Sequence, residues 1–443
     1  MTATERTFAQ IQDKLDRNEA VVLTAEEICN RIRAGECINF DDVDVVTAAT
    51  RGIMSGTYVV LSFPVAEPGT FMRAGCVWLN DIPAYVGPCP NERIGVLDMI
   101  VYGTAHSRSD PDYGGGHLFR DLVEGKTIQV EVETIEGHNI KNEITLKEIP
   151  YARLFATRHA FKNYLAFVNP KTGAVPSIFH AVNFNGDLGE ATFCGCGELN
   201  PIKNDPDLET IGIGTRVLIN GAEGYVSGSG TRSTPDKPNF AGFADMHDMI
   251  PGYMGGFLTS AGPEIINTWA VPIPILNPGI LDNITKLDSD LKLTIVDVNN
   301  RLPICDTTYG DVWDGADVTV AYQSGECMKC DVCEVEQACP MGAVTYRNNV
   351  TAVHDAKLCF NCGLCTTNCA GNAFSANLGT LHYNDGEIEK DIPVVIRQSD
   401  RARAVKAAGE LKKMIISGDF EITEPVGHIV SASKIAEQIQ KNK

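Results

Sequence analysis

Eight of the fifteen cysteines in this chain fall between Cys327 and Cys369. The first burst reads Cys327-x2-Cys330-x2-Cys333-x5-Cys339-Pro340, and the second Cys359-x2-Cys362-x2-Cys365-x3-Cys369. Three thiolates at this spacing can wrap three corners of an iron–sulfur cube, with the fourth ligand supplied by the other burst, as in two-cluster bacterial ferredoxins. The spacing therefore assigns Cys327, Cys330, Cys333 and Cys369 to one [4Fe–4S] cluster. Cys359, Cys362, Cys365 and Cys339 take the second. A repeat supports the pairing: Ala343 and Val344 follow Cys339 as Ala373 and Phe374 follow Cys369. The stretch between the bursts suits a hairpin turning at Asn348-Asn349. Two departures stand out: x5 before Cys339 where x3 is usual, and Ala370 where a proline is usual. Structural zinc on paired Cys-x2-Cys units is the competing reading, but it leaves the third cysteine of each triplet unexplained. Single-electron transfer is the expected role; a purely structural pair of clusters is the plainer one.

A chain of 443 residues has room for much more than this module. Hydrophobic residues make up 44% and charged residues 21%, which suits a globular protein with a real core. The formal net charge of −20 repels nucleic acid and anionic lipid, so neither is an expected partner. The most apolar stretch, "WAVPIPILNPGI", is broken by Pro272, Pro274 and Pro278. A membrane span needs about 20 unbroken apolar residues. The polar start lacks the pattern of a secretory signal. The expected location is the cytoplasm, where fifteen cysteines argue for metal or catalysis over disulfides.

The flanking sequence reads as mixed α/β. "TAEEICNRIRAGE" offers a Thr24–Glu27 capping box and a stop at Gly35. "DVDVVTAAT", "TYVVLSF", "TIQVEVET" and "EITLKEI" read as strands. "HYNDGEIEK" is a hairpin candidate, and "SDRARAVKAAGELKKMIISGDF" a helix ending at Gly418. The expected architecture is a large α/β (α+β) domain, residues 1–321, with an inserted bacterial-type two-cluster ferredoxin at 322–380. Residues 381–443 complete the large domain with a hairpin and a helix.

Three segments outside the bursts carry candidate chemistry. In "ATFCGCGEL", Cys194 and Cys196 flank a glycine, and an extended stretch points both thiols the same way. Such a pair could hold a third metal, carry a persulfide or cycle as a dithiol; two small residues in a tight strand is the plain alternative. Cys89 sits between two prolines in "GPCPNER", where Arg93 could lower its pKa. Gly114, Gly115 and Gly116 precede a helix-like segment and could cradle an anion, with His117 as acid–base candidate. An ordinary glycine loop explains them equally well.

"VWLNDIPAY", "YGGGHLFRDLVEGK", "GELNPIKNDPDLETIGIGTRVLINGAEGYVSGSGT", "VPIPILN" and "GELKKMIISGDFEITEPV" together resemble the archaeal homocysteine-biosynthesis family. Its best-known members are L-aspartate semialdehyde sulfurtransferases. The resemblance covers most of the chain. It implies sulfur delivered from an enzyme persulfide to an aldehyde, followed by two-electron reduction, with the fused clusters supplying electrons. Asn204, Asp205 and Arg232, in or beside these segments, join Gly114–Gly116 as expected substrate-binding residues. The resemblance also implies cysteines in two loops that correspond to "TRGIMSGTYV" and "TIEGHNIKNEI". This chain has Ser55 and His138 there and no cysteine. The reactive sulfur has either moved to Cys194, Cys196 or Cys89, or been replaced by another redox reaction. Expected partners are a small-molecule substrate and a protein donor of electrons or sulfur; a homo-oligomer is left open. The alternative is a non-enzymatic metal or sulfur carrier that assists assembly of a methanogenic cofactor.

Overall fold

The computed structural model describes residues 5–87, 92–162, 164–347 and 350–429. The turn expected at Asn348-Asn349 and the candidate Cys89 lie outside the described residues.

Two mixed β-sheets form the body. The larger has fourteen strands. At its heart Val45–Ile53 runs antiparallel to Gly262–Pro274, in register from Ile53 opposite Ile266 to Val45 opposite Pro274. Both strands are almost wholly buried, and among their apolar residues they bury the polar Thr47, Thr50, Arg51, Asn267 and Thr268. Pro272 and Pro274 are tolerated because pairing with Arg216–Ile219, on the other side, involves only Trp269 and Ala270. Pro278 opens the helix Pro278–Ile284, where its missing N–H is harmless. The segments "DVDVVTAAT", "TYVVLSF" and "TIQVEVET" are strands as read, whereas "EITLKEI" ends as a 3-10 turn, Leu146–Glu148.

Helices close the large sheet. Ala25–Arg33 carries the expected Thr24–Glu27 capping box. Arg401–Ser417 is capped by Asp400 and stops at Gly418, whose φ of 79° lies in the left-handed region. Its apolar side, Ala404, Ala407, Ala408, Leu411 and Ile415, packs into the main core.

The smaller sheet has the order Pro303–Thr308, Lys292–Asp297, Leu165–Val168, Ala191–Phe193, Glu389–Arg397, Thr380–Asn384. The cysteine-rich segment leaves after the first of these strands and returns before the last. It is therefore inserted within one sheet, and the hairpin read at "HYNDGEIEK" is the point of return. A separate core of Phe257, Ile266, Phe360, Leu364, Val395 and Ile396 joins the segment to both sheets.

Among the described residues no helix is long and apolar enough to cross a membrane.

Candidate functional site

The cysteine-rich segment is built from two similar halves. Ala321–Tyr322 pairs with Phe374–Ser375, and Val344–Thr345 pairs with Val353–His354. A short helix follows the third cysteine of the first triplet, Glu334–Ala338, and another begins at that of the second, Cys365–Asn368. This folding brings Cys339, Cys359, Cys362 and Cys365 around one apolar cavity. Cys327, Cys330, Cys333 and Cys369 line a second. The amide of Asn361 donates to Cys359 Sγ, and that of Ala373 to Cys369 Sγ, both at 3.3 Å. Among the described residues, no three Cys, His, Asp or Glu side chains converge to hold a single metal ion.

The first cavity is tied to the body. The ring of Phe360 meets Phe257 edge-on at 5.3 Å, and the Arg51 guanidinium lies over the same Phe360 ring, 5.4 Å from its centroid. Asp400 is fully buried; it accepts from Asn361 Nδ2 at 3.3 Å and pairs with Arg51 at 3.3 Å and Arg403 at 2.7 Å. Arg397 donates through Nη1 to Asp317 O at 2.7 Å and through Nη2 to Asn361 O at 3.1 Å. Burial pulls its pKa down to about 10. Its positive charge is thus held by one carbonyl just before the inserted segment and one within it.

The next residue reaches a cysteine outside the bursts. The parallel pairing of Ala191–Phe193 with Glu389–Arg397 sets Phe193 opposite Arg397. The main-chain amide of Arg397 donates to Cys362 O at 2.8 Å. One residue on, Gln398 Oε1 accepts the Cys194 thiol at 2.9 Å, while Gln398 Nε2 donates to Ile178 O at 2.7 Å. Two hydrogen bonds and a short run of covalent bonds therefore connect Cys362 to Cys194.

Cys194 and Gln398 open into a cavity of ≈ 230 Å³ whose lining includes Ser55, Arg158, Arg232, Lys237 and Arg301 and, among the described residues, no carboxylate. Arg301 stacks over Phe179 at 4.0 Å, and Arg158 over Phe161 at 4.9 Å. Arg158 Nε is buried without a hydrogen-bond partner among the described residues. Burial, then repulsion from Arg232 and Arg301, lowers the Arg158 pKa, which places the three guanidinium groups within each other's field. Burial pushes the Cys194 thiol up to about 12, with Arg301 pulling the other way.

The expectation that Cys194 and Cys196 point the same way fails. Gly195 has φ of 106°, outside the extended region, and the strand alternation breaks there. Cys196 turns into the main core, fully buried, and its Sγ contacts Arg51 O at 3.6 Å.

The glycine run has a different use from the one expected. The amide of Gly115 donates to Ala105 O at 2.7 Å and that of Gly116 to Gly103 O at 2.9 Å, so neither is free for an anion. A side chain at Gly114 would meet Pro263, at Gly115 Tyr102 O, and at Gly116 Gly255 O. These glycines permit close packing of the helix Gly115–Val123. His117 accepts from the Gly114 amide at 3.0 Å and is half-buried, with its pKa lowered by desolvation. Asp205 is likewise buried and staples its own loop, accepting from the amides of Glu209, Thr210 and Ile211. Asn204 Nδ2 is spent on Glu198 O and Asn200 O. Of the expected substrate-binding residues, Arg232 alone lines the cavity with Cys194. Arg158, Lys237, Arg301 and Gln398 were not legible as site residues. Ser55, in the first of the two loops singled out by the family resemblance, faces the same cavity as Cys194.

Fold and site define an α/β protein with an inserted tetra-thiol pair and a thiol set in a cationic cavity. The family model for "Homocysteine biosynthesis enzyme, sulfur-incorporation" matches residues 20–422, and the chain belongs to that family. An uncharacterised protein of Methanothermobacter thermautotrophicus is 46% identical over 417 residues, covering 94% of each chain. L-aspartate semialdehyde sulfurtransferases of Methanocaldococcus jannaschii and Methanosarcina acetivorans are each 30% identical, over 308 and 307 residues. These matches cover 66% of this chain, and 58% and 59% of those proteins. No solved structure matches the chain.

Proposed function

We propose that this protein transfers sulfur reductively to a small carbonyl compound, with Cys194 as the sulfur carrier and two [4Fe–4S] clusters as its electron store. Cys339, Cys359, Cys362 and Cys365 would hold the inner cluster, and Cys327, Cys330, Cys333 and Cys369 the outer. Four thiols spread around each cavity, with amides donating to sulfur, suit four-iron cubes better than single zinc ions. When bound, the clusters supply electrons one at a time. Residues 322–380 are on this reading an inserted two-cluster ferredoxin, with 1–321 and 381–443 forming the body.

The observation that carries the proposal is the connection from Cys362 through Arg397 and Gln398 to the Cys194 thiol. The sulfurtransferase relatives support the chemistry. A persulfide donor passes its outer sulfur to the Cys194 thiolate and leaves as its own thiolate, which loads Cys194 as a persulfide. Its terminal sulfur attacks the carbonyl carbon; a C–S bond forms and the carbonyl oxygen takes the persulfide proton. Two electrons and two protons then break the S–S bond, restoring the Cys194 thiol. Loss of water leaves a thioaldehyde, and two more electrons and two protons give the product thiol. Starting from the persulfide, the balance is four electrons and four protons, drawn from a low-potential protein donor. The two-electron reduction implied by the family resemblance covers only the second half.

The chain's own groups assist at stated points. Gln398 holds the thiol toward the cavity, and Arg301 favours the anionic sulfur that attacks. The apolar faces of Phe161, Phe167 and Phe179 restrict water. The test is single-turnover transfer of labelled sulfur from the loaded protein to L-aspartate semialdehyde and other small aldehydes, without oxygen and with a low-potential electron donor in excess, since two one-electron clusters hold only two of the four electrons required. Labelled thiol in wild type and none in Cys194→Ser supports the proposal; label that never leaves the protein defeats it.

A further inference from the structure

We infer that the cavity beside Cys194 selects a carbonyl compound that bears anionic groups and no ammonium group. The inference rests on the sulfur-transfer reading only for the reacting carbonyl; the selection itself follows from the lining. The chain as a whole carries 57 acidic against 37 basic residues. Yet this cavity gathers Arg158, Arg232, Lys237 and Arg301 and, among the described residues, no carboxylate. Such a grouping opposes the general charge and is unfavourable without an anion to receive.

The cations are positioned to receive one. Two of them are stacked on rings, Arg301 over Phe179 and Arg158 over Phe161, which limits their rotamer freedom before a ligand arrives. Arg158 Nε, buried and unpartnered, is a donor awaiting an acceptor. Guanidinium groups fit carboxylate and phosphate oxygens in a two-point arrangement that a lysine cannot reproduce.

An ammonium group would find the opposite. Glu264 is hydrogen-bonded to Ser55 and sits behind it, outside the lining of the cavity. Among the described residues every formal charge lining the cavity is positive, which rejects an amino group by repulsion as well as favouring a carboxylate by attraction. L-Aspartate semialdehyde, named in the relatives' activity, carries an ammonium group beside its carboxylate. The cavity here favours its deaminated counterpart.

Isothermal titration of the full-length, cluster-loaded protein with succinate and with L-aspartate isolates the amino group, since the two share a carbon skeleton and both carboxylates. Succinate is expected to bind at least tenfold more tightly. Arg232→Gln and Lys237→Gln, at exposed positions where substitution leaves folding intact, should each weaken succinate several-fold and narrow the difference between the ligands. L-Aspartate binding as tightly as succinate, or neither ligand binding, overturns the inference. Sulfur transfer is read separately with succinate semialdehyde and L-aspartate semialdehyde. Preferential succinate binding without transfer to either aldehyde leaves the selectivity standing and removes the sulfur-transfer reading. Transfer that favours L-aspartate semialdehyde does the reverse.

Discussion

Replacing Gln398 with leucine removes the link between the inserted segment and the cavity while leaving every proposed cluster ligand in place. The side chain makes two hydrogen bonds, accepting from Cys194 Sγ at 2.9 Å and donating to Ile178 O at 2.7 Å. Its main-chain amide, bonded to Phe193 O at 3.0 Å, is untouched, so the strand pairing survives. Leaving the Ile178 carbonyl and the thiol unpaired costs about 1–3 kcal/mol of stability. If the oxygen also aims the sulfur, losing a bond worth about 1.5 kcal/mol slows transfer roughly tenfold. Gln398→Glu keeps an oxygen for the thiol and should retain more activity than Gln398→Leu. The assay is single-turnover transfer of labelled sulfur, run beside iron analysis and thermal unfolding. A Gln398→Leu protein with full iron, lowered stability and an unchanged transfer rate would refute the assigned role of this side chain.

Other outcomes follow from the same geometry. Cys194→Ser should abolish protein-bound label, whereas Cys196→Ser, which faces the core, should lower stability and leave transfer intact. Anaerobic preparations should hold about eight irons, and Cys362→Ala and Cys330→Ala should each lose about half by removing a ligand from one four-iron set. Folding raises the Cys194 pKa from the ordinary thiol range of about 8.5 to about 12, so its contribution to stability is complete below the ordinary value. It is lost as pH rises through the folded value; alkaline unfolding should flatten in Cys194→Ala over that interval. Gly115→Ala, whose methyl would overlap Tyr102 O, should destabilise by about 1–3 kcal/mol and leave succinate binding per folded molecule unchanged.

The parts of this molecule legible in sequence are those governed by short-range rules. The Thr24–Glu27 box, the stop at Gly418 and the hairpin before Glu389–Arg397 each depend on a few neighbouring residues. The grouping of the eight clustered cysteines was legible because a fixed spacing dictates which thiols can share a centre. The cavity was not. Arg158, Cys194, Arg301 and Gln398 come from distant segments, and their meeting depends on the parallel pairing of Ala191–Phe193 with Glu389–Arg397. No local pattern encodes that pairing. The glycine run misled because a tight glycine packing site and an anion cradle look alike in sequence; they differ only in whether the amides are already bonded. Gly195 misled for a related reason, since its left-handed conformation separates two thiols that simple alternation would align.

The decisive measurement follows reduced clusters by electron paramagnetic resonance in rapidly frozen samples, after persulfide-loaded protein meets an aldehyde. Electrons that pass from the proposed cubes to sulfur at Cys194 should make the reduced-cluster signal fade at the rate at which label leaves Cys194, two one-electron cubes matching the two electrons of S–S cleavage, with both slowed in Gln398→Leu. Clusters that stay reduced while label leaves Cys194 would place the source of electrons elsewhere.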